Sequence, residues 1–161
     1  MSMAESMYKE VERYKNQIYK IVKNIQKINI RNINTALDVL YDAVYTAKGV
    51  SEELDAIANQ IERQSGQETS DSNELHHVAD LLSDWKNTMK DIAYEIEDLN
   101  KKISNLEGEI EEIQDKLNDD ELNEDEQEQL KQEAEEKLQE REDCIRGIFE
   151  GLNTALSEIP F

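Results

Sequence analysis

Apolar residues recur along most of this chain at alternating steps of three and four, the rhythm of helices that share a narrow face. The longest run is Leu75, Val78, Leu82, Trp85, Met89, Ile92, Ile96, Leu99, Ile103, Leu106, Ile110, Ile113 and Leu117, without a miss. At about 1.5 Å per residue it predicts a helix on the order of 65 Å long. Asp71 and Glu74 stand at capping-box spacing and put its start near Ser72. Two seams precede it. One is Met7, Val11, Tyr14, Ile18, Ile21, Ile25 and Ile28; the other is Ile33, Leu37, Leu40, Val44, Ala47, Leu54, Ala58 and Ile61, with Ser51 at one seam position.

The interruptions define the organisation. After Leu117 comes NDDELNEDEQEQL, where Asn118 and Asp119 can close a turn and Asn123 with Glu126 offers a new N-cap. Folding the chain about residue 120 sets Leu130 opposite Ile110, Ala134 opposite Leu106, Leu138 opposite Ile103, Ile145 opposite Ile96 and Leu156 opposite Trp85. Residues 74–118 and 123–159 are therefore expected to form an antiparallel coiled-coil hairpin. Between 124 and 142 the returning helix offers only Leu130, Ala134 and Leu138. The stripe Ile103, Leu106, Ile110, Ile113 and Leu117 would then need cover from residues 21–33, from a partner or from a second copy.

Upstream, the Ser-, Gly- and Asp-rich stretch 65–73 reads as a loop. Residues 1–64 read as a long N-terminal helical segment, with Gly49 and Ser51 marking a break at 49–51. The seam also changes phase at 29–33, where the step from Ile28 to Ile33 is five. No Gly or Pro stands there to force a reversal, so a straight or mildly kinked helix is expected over a fold-back. The predicted fold is all-α: one domain, an elongated antiparallel helical bundle or coiled-coil hairpin with a long N-terminal helix.

Composition agrees with long helices rather than a thick globular core: one Pro, five Gly, one Trp and two Phe in 161 residues, with 35% charged. No basic start leads into an apolar run, and no stretch approaches the roughly 18 apolar residues of a membrane span. A soluble, cytoplasmic protein is expected, although one exported without a signal would look the same. The lone Cys144 excludes an internal disulfide and a Cys-cluster metal site.

Charge changes the picture more. The net charge is −20, but residues 1–31 hold seven Lys/Arg against three Asp/Glu, for +4, while residues 109–143 hold seventeen acidic against four basic, for −13. The first helix carries Lys9, Arg13, Lys20 and Lys27, whose expected role is pairing with the protein's own acidic helices. The acidic run includes Glu109, Glu112, Asp119, Asp120, Glu121, Glu124, Asp125, Glu128, Glu135 and Glu136, the candidate face for a basic partner. Over about 50 Å of helix this gives about one charge per 4 Å, thinner than the one per about 1.7 Å of duplex DNA.

Catalysis finds no support in the sequence. Glu74 and His77 form one E-x-x-H, but di-iron bundles use two such motifs and two further carboxylates. Cys144 sits among Glu140, Glu142 and Asp143, which oppose a thiolate. No phosphate-cradling glycine loop occurs. Tyr94 with Asp98, and Tyr8 with Glu12, have the Tyr-x-x-x-Asp/Glu spacing seen in WXG-type helical hairpins exported by type VII secretion. Trp85, however, is followed by Lys86 and Asn87, so the Trp-x-Gly turn is missing and no family is assigned.

The expectation is thus a non-catalytic acidic interaction protein, an adaptor or inhibitor, without metal or cofactor. It would dock on a basic protein surface, including that of a protein that itself binds nucleic acid, and homodimerisation stays open. No direct nucleic-acid binding or membrane insertion is expected. The alternatives are a secretion-system partner or chaperone binding through apolar seams, and a structural coiled-coil rod.

Overall fold

A computed structural model describes residues 3–160, with side chains from residue 6 onward. Its elements are α1 (Met3–Gln26), a 3-10 turn (Ile33–Thr35), α2 (Ala36–Ser65), α3 (Ser70–Leu117) and α4 (Glu124–Ser157), with no strand among the described residues. The protein is an all-α helical bundle. Where the sequence predicts one domain, contacts group the chain into two compact units. One comprises the residues up to Ala93 together with those from Leu152; the other is Tyr94–Gly151.

In the first unit α1 packs against α2, which corrects the expectation of a straight helix through 29–33. The chain turns between Gln26 and Ile33, and asparagine side chains do what glycine or proline was expected to do. The Asn32 carboxamide oxygen accepts from the Asn29 backbone N–H at 2.6 Å, while its Nδ2 donates to the Lys27 carbonyl at 3.3 Å. Asn29 Oδ1 accepts from Arg31 N–H at 2.9 Å, and the Thr35 hydroxyl donates to the Asn32 carbonyl at 2.7 Å. Every non-glycine residue described keeps a negative φ, so the corner needs no left-handed residue.

Folding back gives α2 two neighbours, and its buried face widens accordingly. Besides the seam through Leu40, Ala47 and Leu54, a second row of Ala36, Ala43, Val50 and Ile57 is buried. On that side the Tyr14 hydroxyl of α1 donates to Glu53 at 3.3 Å. On the other side the buried Ser51 hydroxyl donates to the Ala79 carbonyl of α3 at 2.8 Å. The predicted break at 49–51 is absent: α2 runs through it, and Ser51 is a satisfied core residue rather than a helix breaker. α2 ends at Gly66, whose φ of 72° supplies the left-handed cap.

α3 begins at Ser70, inside the stretch predicted as loop. Its cap is Thr69 with Ser72, not Asp71 with Glu74. Ser72 N–H donates to Thr69 Oγ1 at 3.0 Å and Thr69 N–H to Ser72 Oγ at 2.9 Å, the reciprocal exchange of a capping box with a buried serine in place of Glu. Trp85 is a core anchor, 2% exposed, and its indole N–H donates to the Ala155 carbonyl of α4 at 2.8 Å.

In the second unit, α3 from Tyr94 and α4 up to Gly151 pair antiparallel about residues 118–123. Asn123 caps α4: its Oδ1 accepts from Glu126 N–H at 2.8 Å, and its Nδ2 donates to Glu126 Oε1 at 3.1 Å. The register differs from the predicted one. Leu138, expected opposite Ile103, is 45% exposed, whereas Lys137 and Arg141 are half-buried and continue a four-three rhythm from Leu130 and Ala134 to Cys144 and Ile148; Ile145 is half-buried as well. The stripe thought to lack cover is largely covered. Leu106, Ile110 and Ile113 are buried and Ile103 and Leu117 half-buried. The missing apolar partners are supplied by the aliphatic stems of Lys137 and Arg141, whose heads reach out to carboxylates.

The Asn32→Ala variant should lose about 1 kcal/mol of stability in urea unfolding, since its two side-chain hydrogen bonds hold the corner. Asn34→Ala, exposed and outside that network, should change it by less than about 0.5 kcal/mol.

Candidate interaction surfaces

The second unit concentrates the charge. Residues 94–151 hold 22 Asp/Glu and 7 Lys/Arg, for −15 of the chain's −20. Two of these cations are spent inward: Lys137 Nζ meets Glu109 at 2.7 Å and Arg141 Nε meets Glu107 at 3.0 Å, both across to α3. Hydrogen bonding to Glu109 raises the Lys137 pKa above its ordinary 10.5. Arg146 pairs locally with Asp143. Of the ten predicted partner-face residues, Glu109 is therefore engaged internally. Glu112, Asp119, Asp120, Glu121, Glu124, Asp125, Glu128, Glu135 and Glu136 are all exposed and make no ion pair among the described residues. Asp119 has a structural task as well, accepting from Glu121 N–H at 3.1 Å within the tip.

Gly147 lets the two helices of this unit approach: a Cβ there would stand 3.1 Å from a Leu99 methyl. Gly147 thus marks a helix contact rather than a solvent-facing position.

Of the cations of α1 named from the sequence, Lys9, Lys20 and Lys27 make no ion pair among the described residues. Lys9, Arg13, Lys20 and Lys27 are exposed; Arg13 lies over the Tyr14 ring, 5.0 Å from its centroid, and Lys15 pairs locally with Glu12 at 3.9 Å. Their intended partners sit in the other unit, and α1 contributes instead its apolar side to α2.

α1, α2 and the first turns of α3 also leave a groove of about 490 Å³. Met7, Tyr8, Val11, Ile61, Leu75 and Val78 give it an apolar lining, with Lys15, Asp71 and Glu74 among its polar residues. The stripe chosen from sequence as an apolar seam, Ile103 to Leu117, is not part of it.

The two adjacent histidines differ in environment. His77 is exposed, and no cluster of three or more metal-ligating side chains occurs among the described residues. His76 instead bridges two carboxylates of α2, with Nδ1 2.8 Å from Asp55 and Nε2 3.2 Å from Glu62. The signal was present as Asp55 and Glu62, seven apart and hence on one helix face. The Asp55 hydrogen bond is the largest influence and raises the His76 pKa from 6.5; partial burial opposes it and the Glu62 charge adds to the rise.

A raised folded-state pKa stabilises the protein fully below the unfolded value, and that contribution fades as pH rises through the folded one. Urea midpoints should therefore fall from about pH 6 to more alkaline pH, and His76→Gln should flatten that slope. No family model, curated protein or solved structure matches this chain.

Proposed function

We propose that this chain is a non-catalytic interaction protein, an adaptor or inhibitor, that docks on a basic protein surface through the acidic hairpin of residues 94–151. One observation carries it: the hairpin spends cations on holding itself together and leaves nine of the ten candidate carboxylates exposed and without an ion pair among the described residues. Carboxylates fixed on helices present an ordered anionic surface at little entropic cost, which favours fast, salt-sensitive association with a basic partner.

The apolar groove of the first unit favours a second reading, capture of a partner's apolar helix, as a secretion-system partner or chaperone would do. That association would depend little on salt.

Co-purification from the native host supplies the partner, and titration then separates the two readings. Affinity should fall steeply between about 50 mM and about 500 mM salt. Reversal of three exposed charges, Glu124→Lys, Glu128→Lys and Glu135→Lys, should weaken it by about tenfold or more at low salt. Unchanged affinity on both counts, together with a loss on Val11→Ala in the groove, would transfer the function to the first unit.

A further inference from the structure

Apart from Lys15, the cations of α1, with Lys27 just after it, lie in a single row. Lys9, Arg13, Asn16, Lys20, Lys23 and Lys27 follow one another by four, three, four, three and four residues, and all are exposed. At about 100° per residue they fall within about 40° of one line, along on the order of 27 Å of helix. The opposite side of α1 is the buried one, with Ile18, Ile21 and Ile25. Lys9, Lys20, Lys23 and Lys27 make no ion pair among the described residues.

The outward face of α4 carries a matching row of opposite sign. Asp125, Glu128, Gln132, Glu135, Gln139 and Glu142 advance by three, four, three, four and three residues, all exposed, with four carboxylates, two amides and no cation. None of the four carboxylates is in an ion pair among the described residues. Five cations and an amide thus match, in helical spacing, a row of opposite sign with four carboxylates and two amides.

We infer that the α1 row docks on the α4 row of a second copy of this chain. This rests on the acidic hairpin being a docking surface and names its partner. Three features favour a carboxylate helix over a phosphate polyanion. Four of the five cations are Lys, point charges suited to single carboxylates, whereas phosphate recognition favours the bidentate fork of Arg. The isoleucine side of α1, Ile18, Ile21 and Ile25, is buried within its own unit and is not free to insert into lipid. Residues 32–161 carry −24, the remainder of −20 after the +4 of residues 1–31, and an extended duplex or anionic membrane would meet that charge along with the row. Between two copies the same repulsion acts, but at physiological salt it is screened beyond about 8 Å, so the pairs in contact decide.

Sedimentation equilibrium of the full chain tests it. At about 150 mM salt the mass should rise with concentration above the 18.7 kDa of one chain, and return to it at about 500 mM. The Lys20→Glu/Lys23→Glu variant and the Glu128→Lys/Glu135→Lys variant should each stay at one chain's mass, with self-association weakened by about tenfold or more. An equimolar mixture of the two should associate again, because each brings a row of the sign the other needs; misfolding cannot produce that rescue.

A mass of one chain at every concentration, or association indifferent to both reversals, would overturn the inference. If that monomer still binds a poly-lysine 20-mer, the hairpin keeps its basic partner and only the second copy is refuted; if it ignores poly-lysine, both fail. Binding of duplex DNA or phosphatidylserine vesicles through Lys20 and Lys23, tighter than self-association, would overturn it in favour of phosphate.

Discussion

The first unit depends on one corner. Between Gln26 and Ile33 the backbone groups freed by the end of α1 are taken up by Asn29, Asn32 and Thr35, so the chain can turn without leaving polar groups unpaired. Once it turns, the Ile18, Ile21 and Ile25 side of α1 is buried, and α2 buries a second row through Ala36, Ala43, Val50 and Ile57. An unfolded corner would return both apolar rows to water, at roughly 25 cal/mol for each Å² exposed. Small residues on α2, four of them the buried alanines Ala36, Ala43, Ala47 and Ala58, allow helices on both sides to pack close.

The second unit solves a different problem with different chemistry. Two helices alone cannot surround a core, and the returning one has few apolar residues between 124 and 142. Lys137 and Arg141 close the gap because long cationic side chains are mostly hydrocarbon: their stems lie along the shared face while the heads reach Glu109 and Glu107. Charge and packing are thereby joined. Drawing scarce cations into this work leaves the outer face of α4 almost purely anionic, which is the property the proposed function uses.

Much of the architecture is legible in the three-four periodicity. The helices, the turn at 118–123 and the Asn123 cap follow from spacing and from the chemistry of Asn and Asp near helix ends. The corner at 29–32 is not legible in the sequence because no glycine or proline marks it; asparagine side chains stand in for the turn's backbone partners. The buried face of α4 is ambiguous in the sequence because Leu138 is the more hydrophobic residue, while the four-three rhythm runs through Lys137 and Arg141. At the α3 cap, Asp71 and Glu74 fit the pattern, but Thr69 and Ser72 make the bonds.

Sequence by itself determined that this chain is helical, where its seams lie and how unevenly its charge is spread, because those properties are local and periodic. Tertiary structure alone decided which face each helix buries and that His76 rather than His77 is held between carboxylates. These are outcomes of competition between distant segments for the same surfaces. A periodic pattern admits several partners, and only packing in three dimensions selects one.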